Sequence, residues 1–204
     1  MYEIQINRDQ LRAATCTAGA RDIRGYLNGV LIEATAGHTC LIATDGSCMS
    51  VQVSKAENKG AGSWIMPNET IALVTAKAHG VLYLTSADGE NWTLSTGMIQ
   101  TIFRMVDGKF PNWRRVVQTR ISNEVSDYNA DILAKFSKAA KILGKKSSGA
   151  SVWVGQNGDG AGRVIIAGRL NYLGAIMPMR AKDAKTGEVY REQIVNPLLT
   201  EDLK

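Results

Sequence analysis

The residues best suited to hold a ligand are lysines on one amphipathic segment, residues 130–144. Its apolar residues recur at the spacing of one helix face: Ile132, Leu133, Phe136, Ala140 and Leu143. The opposite face carries Lys135, Lys138, Lys141 and Lys145. A solvated helix face usually interleaves glutamate with lysine, so a row of like charges predicts an external anion such as phosphate. An ordinary solvated face explains the pattern equally well.

Further cations accompany the two earlier predicted helices. The first helix carries Arg8 and Arg12, with Arg21 and Arg24 beyond it, and the second offers Lys77. If all three helices face one way, they form a basic surface that contacts duplex DNA without reading its bases. The net charge of +5 permits a nucleic-acid partner without requiring one.

No catalytic motif is predicted. The glycine-rich stretch at 155–162 lies between predicted strands and lacks a following Gly-Lys-Ser/Thr, which makes it a hairpin loop. GKKSSG at 144–149 follows a helix, whereas a phosphate-binding loop precedes one. Asp45 belongs to an ordinary Asp-Gly turn with no second acid at a regular spacing. A catalytic enzyme is therefore the least favoured class.

Neither a metal nor another cofactor is predicted. Cys16, Cys40 and Cys48 form no CxxC pair, and His38 and His79 both lie beside glycines in predicted turns. An odd number of cysteines fits reduced thiols better than a disulfide framework. The 204 residues are 45% hydrophobic and 21% charged, and no apolar run could span a bilayer. Since the first residues also lack a signal-peptide pattern, we expect a soluble cytoplasmic protein.

One β-α-β-β-β pattern recurs through the chain, at about 2–53, 63–106 and 120–180. Asn7, Asn68 and Asn129 are the predicted N-caps of the three helices, and residues 121–128 are the predicted first strand of the third unit. Each unit offers a sheet and one helix that need a partner to cover them. Two units make a closed domain, so three leave one without a mate.

An ordered connection, Met105–Val117, separates the second unit from the third. This segment, called the strap below, has an Asp-Gly turn and the apolar anchors Phe110 and Trp113 on either side of Pro111. A flexible linker would lack such anchors. The sequence thus predicts three parts: 1–117 with two units, 118–181 with one, and a charged tail at 182–204.

Four strings resemble the bacterial DNA sliding clamp, the beta subunit of polymerase III. They are RGYLNGVLIEA at 24–34, LIATDGSCMSV at 41–51, DGKFPNWRRVV at 107–117 and IMPMR at 176–180. The resemblance implies an α+β fold, the DNA clamp or processivity fold, with one complete clamp domain and a half domain. It also implies that helices line a central hole for duplex DNA and that sheets form the outer wall.

The resemblance further implies a pocket in which replication or repair proteins dock a short apolar peptide. Carried over position by position, its residues are Leu27, Thr44, Gly46, Met49, Pro111, Arg115, Val116, Met177, Pro178, Met179 and Arg180. Leucine and methionine make an adaptable apolar socket, and proline stiffens its rim. The chain departs from the family at Ser47 and Cys48, where His-Arg is usual, and at Ala181, where leucine is usual.

Two functions follow as expectations. The first is a clamp-like protein that encircles or cradles duplex DNA and docks other proteins. The second is a clamp mimic that occupies the clamp-binding peptides of replication proteins without encircling DNA. By the resemblance a clamp ring holds twelve units, so a ring of this chain would need four copies. An unmated half domain also predicts a homodimer through the third units.

Overall fold

The computed structural model describes residues 1–76, 78–96, 99–117, 120–144 and 151–179. Their elements follow the repeated order of strands and helices. The helices are α1 (Arg8–Ala14), α2 (Asn68–Thr75) and α3 (Ala130–Leu143). The strands are β1 (Tyr2–Asn7), β2 (Gly29–Ala34), β3 (His38–Thr44), β4 (Cys48–Lys55), β5 (Gly62–Pro67), β6 (Val81–Ser86), β7 (Asn91–Ser95), β8 (Gln100–Arg104), β9 (Val152–Gly155), β10 (Gly162–Ile166) and β11 (Tyr172–Ile176).

The first two units exchange their first strands. One sheet has the order β1-β6-β7-β8, so the first strand of unit one completes the sheet of unit two. The other sheet has the order β5-β2-β3-β4-β11-β10-β9, in which β5 of unit two completes the sheet of unit one. Because each sheet needs a strand from the other unit, neither unit can form its sheet alone.

The third unit is joined to the first by its last strand. β11 pairs antiparallel with β4, and this pairing aligns Ala175 with Met49 and Ile176 with Cys48. The resulting seven-stranded sheet runs across the boundary predicted at residue 117. Helix α1 lies between α2 and α3 and packs against both of them. The three helices therefore form a row beside the two sheets.

Apolar residues alternate between the two faces of the seven-stranded sheet. Val30, Ile32 and Leu41 face α1, α2 and the four-stranded sheet in one core, and Val164, Ile166 and Tyr172 form a second core with Phe136 of α3. Their neighbours Leu31, Ile42 and Val51 point the other way and are covered by the strap. The helix row and the strap therefore lie on opposite faces of one sheet.

Two helix predictions need correction. α1 ends at Ala14 and residues 15–18 form turns, although helical spacing extends to Ala18. The predicted cap at Asn68 is wrong, because Pro67 occupies the N-cap position and Asn68 is the first residue of α2. The Asn68 side chain instead donates to the carbonyl of Gly19. The predictions for α3 are confirmed, with Asn129 accepting from Asp131 N and Ile132 N and Gly144 ending the helix.

The strand predicted at residues 121–128 does not form. Its backbone bonds instead to the loop after β9, with Asn123 N donating to Gln156 O and Gly158 N donating to Glu124 O. Asn123 has φ of +64°, which breaks the extended conformation. In the other units the first strand pairs with the sheet of a companion unit. The described residues contain no companion for the third unit, and the segment lies against its own hairpin.

Candidate functional site

A mainly apolar cavity of about 280 Å³ lies where the first unit, the third unit and the strap meet. Its floor includes Met49 of β4 and Ala175 of β11, which are paired across the strand junction. The strap supplies one wall through Pro111, Trp113 and Val116. The cavity therefore depends on two features of the fold. One is the junction between the first and third units, and the other is the strap, which connects the second unit to the third.

A network of Glu33 side-chain contacts fixes the strap wall. Trp113 Nε1 donates to Glu33 Oε1 at 3.2 Å, and Arg114 makes two hydrogen bonds to the same carboxylate, at 3.1 and 2.7 Å. The Arg114 guanidinium also lies 4.2 Å from the centre of the Trp113 ring. Burial would raise the pKa of Glu33, but the Arg114 and Trp113 hydrogen bonds lower it overall. An ionised Glu33 thus orients the indole that walls the cavity.

The turn between β3 and β4 forms the opposite rim and is held by Asp45. This carboxylate accepts from Ser47 N and Cys48 N, at 2.8 and 2.9 Å, and it is paired with Lys135 of α3. Burial would raise the pKa of Asp45, but the Lys135 and turn hydrogen bonds outweigh it and hold the pKa at about 2. The ion pair therefore joins α3 to the rim of the cavity.

Glycine is required at one position in that turn. Gly46 has φ of +93°, a conformation that side-chain-bearing residues rarely adopt. A Cβ there would also lie 3.3 Å from Arg24 Nη2, which reaches across the rim. Arg24 in turn pairs with Asp22 at 2.8 Å. The rim thus combines a tight turn with a fixed guanidinium.

The cavity brings together most of the predicted pocket positions. The predicted residues on its lining are Leu27, Thr44, Gly46, Met49, Pro111, Val116 and Met177. Arg115, Pro178 and Met179 lie outside the lining, and Met179 N donates to Asp127 O at 2.7 Å. Arg180 lies outside the described residues.

Sequence reasoning missed other lining residues. Arg24 was predicted to face DNA, but it lines the cavity together with Ser47, Cys48, Trp113 and Ala175. The sequence indicates Trp113 as an apolar anchor of the strap. Its position directly before Arg114 and Arg115 was a signal from which its place on the cavity lining could have been predicted. Ala175 carried no signal, because it is a small residue inside a strand. Only the pairing of β11 with β4 places it on the cavity floor.

The structure describes some of the predicted DNA-facing cations as exposed and others as engaged by protein groups. Arg12, Lys138 and Lys141 are exposed on the row formed by α1 and α3, and Arg21 is exposed beyond α1. Other cations are engaged by protein groups: Arg8 donates to the Thr75 carbonyl and pairs with Asp9, while Lys135 pairs with Asp45. Lys77 and Lys145 lie outside the described residues. The exposed positive charge is therefore sparser than the sequence predicted.

The cysteines of this region are held as thiols. Burial raises the pKa of Cys48 to about 12 and that of Cys40 to about 11, with nearby carboxylates adding to both shifts. Burial also raises the pKa of Cys16. Within the described ranges no group of His, Cys, Asp or Glu side chains is arranged to hold a metal. Across the same ranges no helix is long and apolar enough to cross a membrane.

Comparison with curated proteins gives one consistent result. The chain is 28% identical over 143 residues to the Beta sliding clamp of Vibrio cholerae, covering 68% of this chain and 38% of that protein. It is 30% identical over 142 residues to the Beta sliding clamp of Salmonella typhimurium, again covering 38% of that protein. The chain thus spans about two fifths of the length of the curated relatives it matches. No protein-family model matches it.

Solved structures show the same fold. The DNA polymerase III beta subunit from Thermotoga maritima aligns with a TM-score of 0.68 at 14% identity, covering 88% of this chain and 66% of that one. The beta clamp of Helicobacter pylori aligns with a TM-score of 0.73 at 10% identity, covering 87% and 66%. The fold is therefore that of the DNA clamps, as the resemblance implied. Together with the curated relatives, it makes this chain a sliding-clamp-like protein similar to the bacterial beta clamp.

Proposed function

We propose that this chain is a non-enzymatic, clamp-like cytoplasmic protein that encircles or cradles duplex DNA without sequence specificity and docks replication or repair proteins in its cavity. One observation carries the proposal: the exposed cations of α1 and α3 and the apolar cavity lie on opposite faces of the same sheet. DNA and a protein partner can therefore bind at once. The proposed DNA contacts are Arg12, Arg21, Lys138 and Lys141, with Lys77 and Lys145 added from the sequence.

The DNA contacts are phosphate contacts, so their strength depends on salt. With about four phosphates neutralised, one for each of the four described contacts, affinity falls roughly 150-fold between 50 and 200 mM salt, because the logarithm of the binding constant falls by about 0.9 per phosphate for each decade of salt. We would measure fluorescence anisotropy of a labelled duplex against the chain at several salt concentrations. Lys141→Glu should weaken binding and make the salt dependence shallower.

The matched control is Lys109→Glu, which makes the same charge change on an exposed residue of the strap. If the two variants weaken DNA binding equally, the effect reflects net charge and the helix row is not the DNA surface. If neither variant changes binding, the proposed DNA surface is wrong.

The cavity is tested separately with a labelled peptide carrying leucine and phenylalanine. Met177→Asp places a charge on the lining, where Met177 is 44% exposed, and should abolish binding regardless of salt. Leu170→Asp is the control, because Leu170 is fully exposed in the turn between β10 and β11 and lies outside the lining. Equal losses in both variants would contradict the cavity as the docking site.

The second candidate is a clamp mimic that binds clamp-binding peptides without encircling DNA. The engagement of Lys135 by Asp45 and of Arg8 by Thr75 and Asp9 favours it, because both remove positive charge from the helix row. Salt-insensitive peptide binding together with absent DNA binding would select this candidate. A homodimer through the third units, and with it a ring of four chains, also stays a prediction to be tested by solution mass.

A further inference from the structure

We infer that Lys135 couples the two proposed binding sites, because DNA phosphate and Asp45 compete for its ammonium group. The inference rests on the proposed function and concerns the regulation of the peptide cavity. A duplex that draws Lys135 away from Asp45 should weaken peptide binding. A docked peptide should weaken DNA binding by the same factor, since a coupling free energy between two sites is reciprocal.

Lys135 is placed to reach a phosphate. It lies one turn before Lys138 on α3, and side chains three positions apart on a helix are neighbours. Lys138 is exposed and is a proposed DNA contact, and 33% of the Lys135 side chain stays exposed despite the pairing with Asp45. An ammonium group carries several N–H donors. A phosphate held at Lys138 therefore has a second cation within one helix turn.

The other member of the pair organises the rim of the cavity. The two carboxylate oxygens of Asp45 have separate partners: Oδ1 accepts from Ser47 N, and Oδ2 is paired with Lys135. The same turn also accepts from two lining residues. Met177 N donates to Ser47 O at 2.9 Å, and Arg24 Nη2 donates to Asp45 O at 3.4 Å. A shift of this turn is therefore transmitted to both residues.

A second arrangement is available to the Asp45 carboxylate. Its side chain is only 15% exposed, so withdrawal of Lys135 leaves a mostly buried charge without its partner, which is unfavourable. Arg24 is a cation on the same rim: its hydrogen bond to Asp22 raises its pKa, and the Asp45 charge adds to that shift. Asp45 can therefore turn toward Arg24. Because Arg24 lines the cavity, this movement changes the space that a peptide occupies.

The sign of the coupling follows from charge. A phosphate and a carboxylate on one ammonium group repel each other, so Lys135 holds either anion better than both. Peptide docking favours the rim held by Lys135, because that arrangement forms the cavity, whereas DNA favours the released rim. We expect each ligand to weaken the other about five-fold, the lower end of ordinary coupling between sites, because solvent screens the exposed part of Lys135.

The test is fluorescence anisotropy of an uncharged labelled peptide carrying leucine and phenylalanine, with and without a saturating unlabelled duplex. An uncharged peptide avoids direct repulsion by DNA. For the wild type, the duplex should raise the peptide Kd about five-fold, and saturating unlabelled peptide should raise the Kd of a labelled duplex by the same factor. Lys135→Met should raise the peptide Kd in the absence of DNA and abolish the effect of the duplex.

Lys55→Met is the matched control, because Lys55 is exposed at the end of β4 farther from the turn and loses the same charge. It should leave the effect of the duplex on peptide binding unchanged. The amide resonance of Gly46 gives a second readout. It should shift when the duplex is added to the wild type and stay in place in Lys135→Met, a difference that a purely structural role of Lys135 does not produce.

The outcomes distinguish the coupling from the proposed function. Failure of the peptide or the duplex to bind by itself contradicts the proposed function and the coupling with it. If both bind and the peptide Kd is the same with and without the duplex, the proposed function stands and the coupling is overturned, whether or not Lys135→Met folds. A duplex effect that survives in Lys135→Met, or that is lost in Lys55→Met, also overturns the coupling.

Discussion

Replacing Asp45 by asparagine removes the charge that ties α3 to the rim of the cavity. The amide oxygen can still accept from Ser47 N and Cys48 N, so the change isolates the ion pair with Lys135 from the turn. The Asp45 side chain is 15% exposed and the Lys135 side chain is 33% exposed. Such a pair stabilises more than a surface pair, whose contribution is about 0 to 1 kcal/mol.

The pKa of Asp45 sets an upper bound on the effect. A fall from 3.8 to about 2 corresponds to roughly 2.5 kcal/mol, at about 1.4 kcal/mol per pKa unit. This figure includes the turn hydrogen bonds, and solvent screens the exposed part of Lys135. We therefore expect Asp45→Asn to lower the free energy of unfolding by about 1.5 kcal/mol at pH 7.

The loss should depend on pH in a definite direction. Because the folded-state pKa of Asp45 lies below its unfolded value, the stabilisation is fully present above pH 4 and is lost as the pH falls through about 2. Urea unfolding of wild type and Asp45→Asn at pH 7, 4 and 2.5 measures this change. Asp159→Asn, in the exposed loop between β9 and β10, is the control and should give no difference.

A double-mutant cycle with Lys135→Met completes the test. The coupling energy should be about 1 kcal/mol at pH 7 and should shrink at pH 2.5. Since the ion pair joins α3 to the rim that carries Gly46, Ser47 and Cys48 of the cavity, its loss in the asparagine variant should also weaken peptide binding. A loss of stability that is the same at pH 7 and pH 2.5, or a coupling near zero, would refute this reasoning.

Three further variants probe the core and the cavity. Trp92→Ala should cost about 3 to 5 kcal/mol in urea unfolding, because Trp92 is fully buried against Tyr2 and Trp64, and a loss below 1 kcal/mol would contradict that role. Gly46→Ala should cost about 1 to 2 kcal/mol through its positive φ, and unchanged stability would show that the turn relaxes. Glu33→Gln should loosen the strap and raise the quenching of Trp113 fluorescence by iodide, and unchanged quenching would show that Glu33 does not fix the indole.

Local patterns predicted most of the helices and strands. The alternation of β2 to β4 and the cap at Asn129 act within a few residues, so they can be recognised without tertiary contacts. The cavity positions came through resemblance to a family, and the structure places most of them on one lining. Arg24, Lys135 and Ala175 could not be assigned this way, because each acquires its contacts from a strand or turn distant in sequence.

The sequence by itself determined that a helix followed by three strands recurs three times, and that the third helix has an apolar face opposite its lysines. Periodicity and capping carry that information, because they reflect contacts made within a turn or a strand. Only the tertiary structure decided that β1 and β5 change places between units, that β11 extends the sheet of the first unit, and that Lys135 neutralises Asp45. Strand partners and ion pairs depend on which surfaces meet after collapse, and the same local pattern is compatible with several such arrangements.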